Sequence, residues 1–314
     1  MSKIYSKAWF GEAIIDSQQA NLSIMSSAVL YGLSVYTVFP IFVGKNKKLV
    51  AFRLQDHYNR LCESAKIIGI DGLSGYWDFE KFLKAIGDLV SVNNIKDDTF
   101  VRATIHVDEK LPGTRSRGLH TVFSMFAYEA EPIVPQAGAR LKTSVWRRVP
   151  DYAIPSRAKV NGAYVNSVLA KQDAIDSGYD DCIFLDSLGH VCELSAANIF
   201  IVRNGKLITP DKTSDLLEGI NRRTIIEQAK KMNIQVEERT IDLTELYIAD
   251  EVFICGTSAF VAPVVEIDAR IIADGKVGPL TLRFKRLHEN LLRGSESRYA
   301  TWIAKSTAKQ RTAS

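Results

Sequence analysis

Cysteine and histidine are scarce, with four and five in 314 residues. Cys62, Cys182, Cys192 and Cys255 form no C-x-x-C pair and no two histidines read H-x-x-x-H. Zinc-type spacing is therefore missing, and no metal is expected. Cys182, Cys192 and Cys255 lie in apolar alternating runs, which suits free buried thiols and a cytoplasmic setting. A one-sided charge excess is missing too: 40 Lys+Arg against 36 Asp+Glu leave +4. With no basic stripe interleaved with aromatics, a nucleic-acid partner is not expected. Long apolar runs are also lacking. No residue from Ser17 to Gly44 is charged, yet Gln18, Gln19, Asn21, several serines and Pro40 make this window too polar to span a membrane. It reads as buried protein. Met1 to Glu12 has no apolar core, so no secretory leader is expected. No internal repeat is evident.

What is present is globular: 46% hydrophobic and 24% charged residues, enough to fill the cores of about two domains. Near-alternation over Lys3–Ile15 and Ala28–Val43 predicts sheet, with a turn at Asn46-Lys47 and a returning strand at Leu49–Phe52. Helical periodicity follows over Gln55–Ile68 (Leu54, Tyr58, Leu61 and Ala65 on one face) and over Phe79–Val92. Strands are predicted at Phe100–Val107 and Leu119–Ala127, separated by the polar loop DEKLPGTRSRG at 108–118. The proline-bearing stretch 128–137 then reads as a linker. Beyond it, Cys182–Asp186 and Val191 onward flank a Ser-Leu-Gly turn, and Asn204-Gly205 is the strongest hairpin signal. Ile220–Met232 is an amphipathic helix, and Val252–Cys255 is a buried strand ending in Gly256-Thr257-Ser258. The expected plan is α+β, with a small N-terminal domain (1–127), the linker, a larger domain (138–303) and a polar tail (304–314).

A few local features could carry chemistry. Glu218-Gly219-Ile220-Asn221 opens a helix, where backbone N–H groups suit a phosphate or form an ordinary capped start. Gly256-Thr257-Ser258 offers N–H groups and hydroxyls to an anion, or is a plain turn. Lys159 alone reads as one surface lysine among many. Glu193, in the apolar run Val191-Cys192-Glu193-Leu194, is a carboxylate that wants a cationic partner if buried.

Order and spacing join these features. Ala153-Ile154-Pro155-Ser156-Arg157-Ala158-Lys159 with Gly162-Ala163-Tyr164, then Glu193–Phe200 (ELSAANIF), Leu217–Ile220, Glu245–Glu251, Cys255-Gly256-Thr257 and Gly278-Pro279 resemble the branched-chain aminotransferase family of fold-type IV pyridoxal 5'-phosphate (PLP) enzymes. Phe52-Arg53 through His57, Arg60-Leu61 and Ser64-Ala65-Lys66 extend the likeness into the first half. The resemblance implies a two-domain α+β fold-type IV enzyme, PLP in the cleft between the domains, and a homodimer or higher homo-oligomer whose loops complete each other's sites. Lys159 becomes the Schiff-base lysine and proton carrier, and Glu193 the partner of the pyridine nitrogen. Tyr164 would bond the cofactor's phenolic oxygen, and Asn198 would support the ring side. Arg60, Gly219, Ile220, Asn221, Gly256 and Thr257 would hold the phosphate. On the substrate side stand Arg102 for a carboxylate, Tyr31 and Val38 in the pocket wall, Thr257 and Ser258, and Arg115 and Arg117 on the 108–118 loop.

The departures are specific. Where the family typically reads Gly-Thr-Ser-Val-Phe-Glu-Gly-Ile-Arg, this chain has Gly32 to Pro40 reading GLSVYTVFP, so Thr37, Val38 and Pro40 replace Glu, Gly and Arg. Asn221 replaces a threonine of the phosphate cup, and Ser195-Ala196-Ala197 a more glycine-rich stretch. The implied activity is ping-pong transamination between branched-chain L-amino acids and 2-oxoglutarate. Alternatives are an (R)-selective amine or D-amino acid transaminase, aminodeoxychorismate lyase, and a catalytically inert PLP-binding scaffold. Tyr31, Tyr36, Val38 and Phe39 are expected to line the pocket from a buried sheet.

Overall fold

The computed structural model describes residues 3–45, 47–71 and 77–304; Asn46 of the expected turn and residues 305–314 of the expected tail lie outside them. Two compact units are formed, residues 1–130 with 290–314, and residues 131–289.

The first unit contains β1 (Lys7–Phe10), β2 (Ala13–Asp16), a one-turn α1 (Ser27–Leu30), β3 (Ser34–Val43), β4 (Leu49–Phe52), α2 (Leu54–Ile68), α3 (Phe79–Val92), β5 (Thr99–Val107) and β6 (Thr121–Glu129). Asp78 starts α3 by accepting the Lys81 N–H at 2.7 Å. The sheet expected over Lys3–Ile15 takes the form of a hairpin, because Gly11 turns with φ +63° between β1 and β2. The sheet expected over Ala28–Val43 begins only at Ser34, since α1 occupies 27–30. The uncharged window is therefore split. β3 is buried almost throughout, whereas Ile24, Val29 and Tyr31 are 80%, 51% and 50% exposed. Over Ile24–Tyr31 the absence of charge reflects an exposed apolar surface rather than sheet core, while Gln18, Gln19 and Asn21 before it are exposed and polar.

The second unit contains β7 (Ala139–Thr143), α4 (Tyr164–Asp176), β8 (Asp181–Leu185), β9 (Val191–Leu194), β10 (Asn198–Arg203), β11 (Lys206–Thr209), α5 (Ile220–Lys231), β12 (Val236–Glu238), α6 (Leu243–Tyr247), β13 (Glu251–Gly256), β14 (Phe260–Ile267), β15 (Arg270–Ile271) and most of α7 (Pro279–Leu292). Asn204 and Gly205 both take positive φ (+51° and +73°), as a two-residue turn between β10 and β11 requires. β10 and β13 alternate faces. Ile199, Ile201, Val252 and Ile254 enter one core, while Phe200, Phe253 and Cys255 pack with Ile225, Ala229 and Phe284 in the other. Glu251 caps α7, accepting Leu280 N–H at 3.0 Å and Thr281 N–H at 2.7 Å; with Pro279 starting the helix, this explains the Glu251 and Gly278-Pro279 motifs as structural.

β16 (Ala300–Trp302) pairs with β4 of the first unit, and Ile303 N–H donates to Leu49 O at 3.0 Å. The expectation that the large domain runs to residue 303 is thus corrected: the chain from Asn290 returns to cover the open edge of β4. The seven-stranded sheet has the order β16-β4-β3-β5-β6-β1-β2; the nine-stranded sheet runs β12-β11-β10-β13-β14-β7-β8-β9, with β15 on β14. No helix of the described residues is long and apolar enough to cross a membrane.

Candidate active site

In the second unit the site is organised around a buried carboxylate. Glu193 lies near the end of β9, where the turn Leu194–Ala197 closes with Leu194 N–H on Ala197 O at 2.8 Å and leads into β10. Its Oε2 accepts Leu217 N–H at 3.1 Å and Asn198 Nδ2 at 3.2 Å. Oε1 receives Arg148 Nη2 at 3.0 Å. Burial holds the Glu193 carboxyl above its ordinary range, with Arg148, the Leu217 N–H and the nearby Lys159 charge limiting the rise without cancelling it. The cationic partner that the sequence demanded thus exists within the chain. An unpaired charge here would be strongly destabilising, so the pairing is obligatory.

Asn198 is the hinge of this arrangement. It stands opposite Cys255 in the β10–β13 ladder, beside Gly256-Thr257, and donates a second bond to Leu217 O at 3.0 Å. Gly219 lies so close that a Cβ built on it would sit 2.0 Å from Asn198 Oδ1; only glycine permits this contact. Gly219 then caps α5, whose first-turn N–H groups have no intrahelical acceptors. Arg222 pins that helix start, donating to Pro210 O at 2.7 Å and Glu238 Oε2 at 2.9 Å. Glu193, Asn198, Leu217–Asn221 and Gly256-Thr257 therefore share one end of the sheet.

Lys159 is half-buried and its Nζ donates to Tyr164 Oη, at the start of α4, at 2.5 Å. The segment carrying it is strapped down. Arg157 donates to Lys212 O at 2.9 Å and Glu218 Oε1 at 3.1 Å, and Asp151 N–H reaches Asp215 Oδ1 at 2.9 Å. The loop before α5 and the Lys159 segment are thus one hydrogen-bonded body. Thr257 and Ser258 are half-buried beyond β13, where Ser258 O accepts Ile133 N–H at 3.0 Å.

The first unit holds the remaining candidates on two faces of one sheet. Toward α2, Thr37 Oγ1 lies 3.0 Å from His57 Nδ1 and accepts Arg60 Nη2 at 3.4 Å. On the opposite face Val38 stands across from Arg102, whose guanidinium lies 3.6 Å over the Tyr36 ring. Further along this face His106 contacts Ser34 Oγ at 3.3 Å and Ser124 Oγ at 2.8 Å; burial, with the Arg102 charge, lowers it to about 4 and keeps the ring neutral. Phe39 packs against Phe82 at 5.9 Å between ring centres. It belongs to the helix-covered face, not with Val38, so its expected place in the pocket wall is corrected by strand alternation. Tyr31 is half-exposed at the end of α1 rather than core. Arg115 and Arg117 are exposed; their loop is tied to the end of α2 by Gly118 N–H on Asp71 Oδ2 at 2.7 Å.

Arg148 was not singled out by sequence reasoning, and Leu217 figured only in the Leu217–Ile220 motif without a role of its own. The signal for Arg148 was available: an arginine doublet, Arg147-Arg148, shortly before the Lys159 motif in a chain whose buried Glu193 needs a cation. Leu217 contributes only its backbone, which residue type does not reveal.

Comparison with known proteins gives a consistent picture. The sequence model of the family described as amino-transferase class IV matches residues 34–267. The chain is 36% identical over 299 residues to a probable branched-chain-amino-acid aminotransferase of Aquifex aeolicus, covering 94% of this chain and 95% of the relative. Among solved structures it resembles the branched-chain aminotransferase of Thermoproteus uzoniensis with norvaline, at TM-score 0.90 and 33% identity, over 95% of this chain and 99% of that one. It also resembles the branched-chain amino acid aminotransferase of Thermobaculum terrenum in its PLP form, at TM-score 0.87 and 28% identity, over 96% of this chain and 99% of that one.

Proposed function

This chain belongs to the class IV aminotransferase family, and from that premise we propose that it exchanges amino groups between branched-chain L-amino acids and 2-oxoglutarate in a ping-pong cycle, with PLP held by Lys159 and Glu193. The observation that carries the assignment is the Glu193 shell: a buried carboxylate with fixed orientation, beside a lysine–tyrosine pair and a glycine-opened helix start. That donor set fits the cofactor, since a carboxylate suits a pyridine N–H, an amine a carbonyl carbon, and first-turn N–H groups a phosphate.

PLP when bound withdraws electrons from the substrate Cα, and the chain's own residues do the rest. Glu193 holds the ring nitrogen's proton. With its amine free, Lys159 would take the proton from the substrate Cα and deliver it to C4′ of the cofactor, ending as the neutral amine it began as. Tyr164 Oη, already bonded to Lys159 Nζ, keeps that amine aimed and takes a share of its proton. Arg60, the N–H groups of Ile220 and Asn221, and Thr257 bind the phosphate; Asn198 and Gly219 shape its approach, with Gly256 beside them. Arg102 takes a substrate carboxylate, Val38 and Tyr31 limit the side chain, and Ser258, Arg115 and Arg117 complete the substrate side.

The working unit is a homodimer or larger homo-oligomer. Supporting this, α4 exposes Val165 and Val168 by 63% and 64%, and α1 with its approach exposes Ile24, Val29 and Tyr31; apolar faces of this kind are usually covered. The four free thiols support a cytoplasmic location.

The test is a half-reaction panel on PLP-loaded protein. L-leucine is expected to bleach the cofactor's visible band and 2-oxoglutarate to restore it. Bleaching by (R)-1-phenylethylamine or D-alanine but not by L-leucine moves the activity to the (R)-amine or D-amino acid class. Pyruvate released from aminodeoxychorismate would assign the lyase.

A further inference from the structure

The donors around Glu193 occupy most, but not all, of its accepting capacity. A carboxylate has about four lone-pair directions. Leu217 N–H and Asn198 Nδ2 use two at Oε2, and Arg148 uses one at Oε1. Among the described residues, one direction at Oε1 is left. Arg148 is itself fixed: its backbone N–H donates to Leu185 O at 2.9 Å, its Nε to Asp215 O at 3.2 Å, and its guanidinium lies 5.7 Å from the Phe184 ring centre. The side chains of Arg148 and Glu193 are only 13% and 8% exposed, so the pair is not a solvent-screened surface bridge.

Resting on the PLP reading above, we infer that Arg148 is a positioning residue that keeps the Glu193 carboxylate ionised and oriented, so that Oε1 presents its remaining lone pair to the pyridine N–H. Arg148 acts through Glu193 and need not touch the cofactor. The consequence is twofold. The carboxylate is oriented before PLP arrives, and the Arg148 charge favours its ionised form against the burial that opposes it. With PLP bound, Glu193 would face both Arg148 and the ring N–H, and sharing its charge would moderate its hold on the ring proton. Arg148 thereby sets how strongly the ring draws electrons.

The test uses carboxyl-labelled glutamate in the apo-protein, followed by infrared spectroscopy or NMR through a pH titration, with Glu193→Gln identifying the signal. Arg148→Met and Arg148→Gln are expected to raise the Glu193 titration by at least one pH unit, about tenfold in proton affinity. Both should make PLP uptake release about one proton near neutral pH, read by calorimetry in buffers of different ionisation enthalpy. Arg148→Lys should restore most of the wild-type titration, because charge rather than shape is at work. If Arg148→Met does not fold, Arg148→Gln decides alone. An unmoved Glu193 titration in the folded neutral variants, or an Arg148→Lys protein behaving like Arg148→Gln, would overturn the inference. Wild-type protein that takes up no PLP would instead overturn the cofactor reading, and the apo titration would still stand on its own.

Discussion

The Glu193 shell of the second unit and the Val38–Arg102 face of the first are built in different ways. Around Glu193 the determinants are backbone and buried: the Leu217 N–H, the Asn198 bridge, and a glycine whose missing Cβ admits Asn198. On the first unit's sheet they are exchangeable side chains in register, Tyr36 under Arg102 and Val38 beside it. In the second unit a change at Asn198 or Gly219 disturbs packed backbone, because each is fixed by close contacts. The first unit carries the densest run of departures from the family pattern, Thr37, Val38 and Pro40, while the second changes Asn221 and Ser195-Ala196-Ala197. Specificity can drift on a strand surface because replacing one outward side chain leaves the ladder intact.

The largest effect that would sharpen this contrast is Lys159→Ala. It should lower kcat by about 10⁴-fold while leaving the melting curve nearly unchanged, as expected for lost proton transfer; retained turnover would remove the second unit from the chemistry. Next comes acid stability. His288 in the second unit is fully buried and lowered to about 4. Its folded value lies below the unfolded one, so its contribution is complete above about pH 6.5 and lost as pH falls toward 4, in total about 3 kcal/mol. Urea melts at pH 7 and pH 4.5 on wild type and His288→Gln should show the variant with the smaller acid loss. Arg102→Met should raise KM for 2-oxoglutarate about tenfold to a hundredfold, since one charge-assisted contact is removed, with kcat for L-leucine less affected. Gly219→Ala, forced against Asn198, should lose about 1–3 kcal/mol in urea melts and weaken PLP binding. The smallest effect is Val38→Gly. Restoring the glycine the family typically has should improve kcat/KM for bulkier donors about tenfold, while lowering strand stability by about 1 kcal/mol.

Much of the fold was legible. α2, α3 and α5 carry apolar residues at helical spacing with one buried face, and Asn204-Gly205 announces its hairpin. α4 escaped notice because its large apolar residues, Val165, Val168 and Leu169, are exposed while Ser167, Ala170 and Ala174 face inward; the periodic signal points away from the core. β16 is three residues long and exists only because β4 has an edge to cover, which no local pattern encodes. At the site, Glu193 and the Gly219 helix start gave weak local signals, and Lys159 stood out only through the order of the surrounding motifs. Arg148 as partner of Glu193, and the separation of Arg60 from Arg102 by a sheet, required tertiary contacts. Strand period, taken residue by residue, is enough to separate Phe39 from Val38.

Everything in the proposed cycle depends on Lys159 being where the cofactor attaches. Borohydride reduction of PLP-loaded protein followed by peptide mass mapping tests it most directly. One reduced pyridoxyl phosphate adduct per chain is expected, on the peptide containing Lys159, and it should be lost when L-leucine is added before reduction. An adduct on a different lysine, or one unaffected by the amino donor, would contradict it.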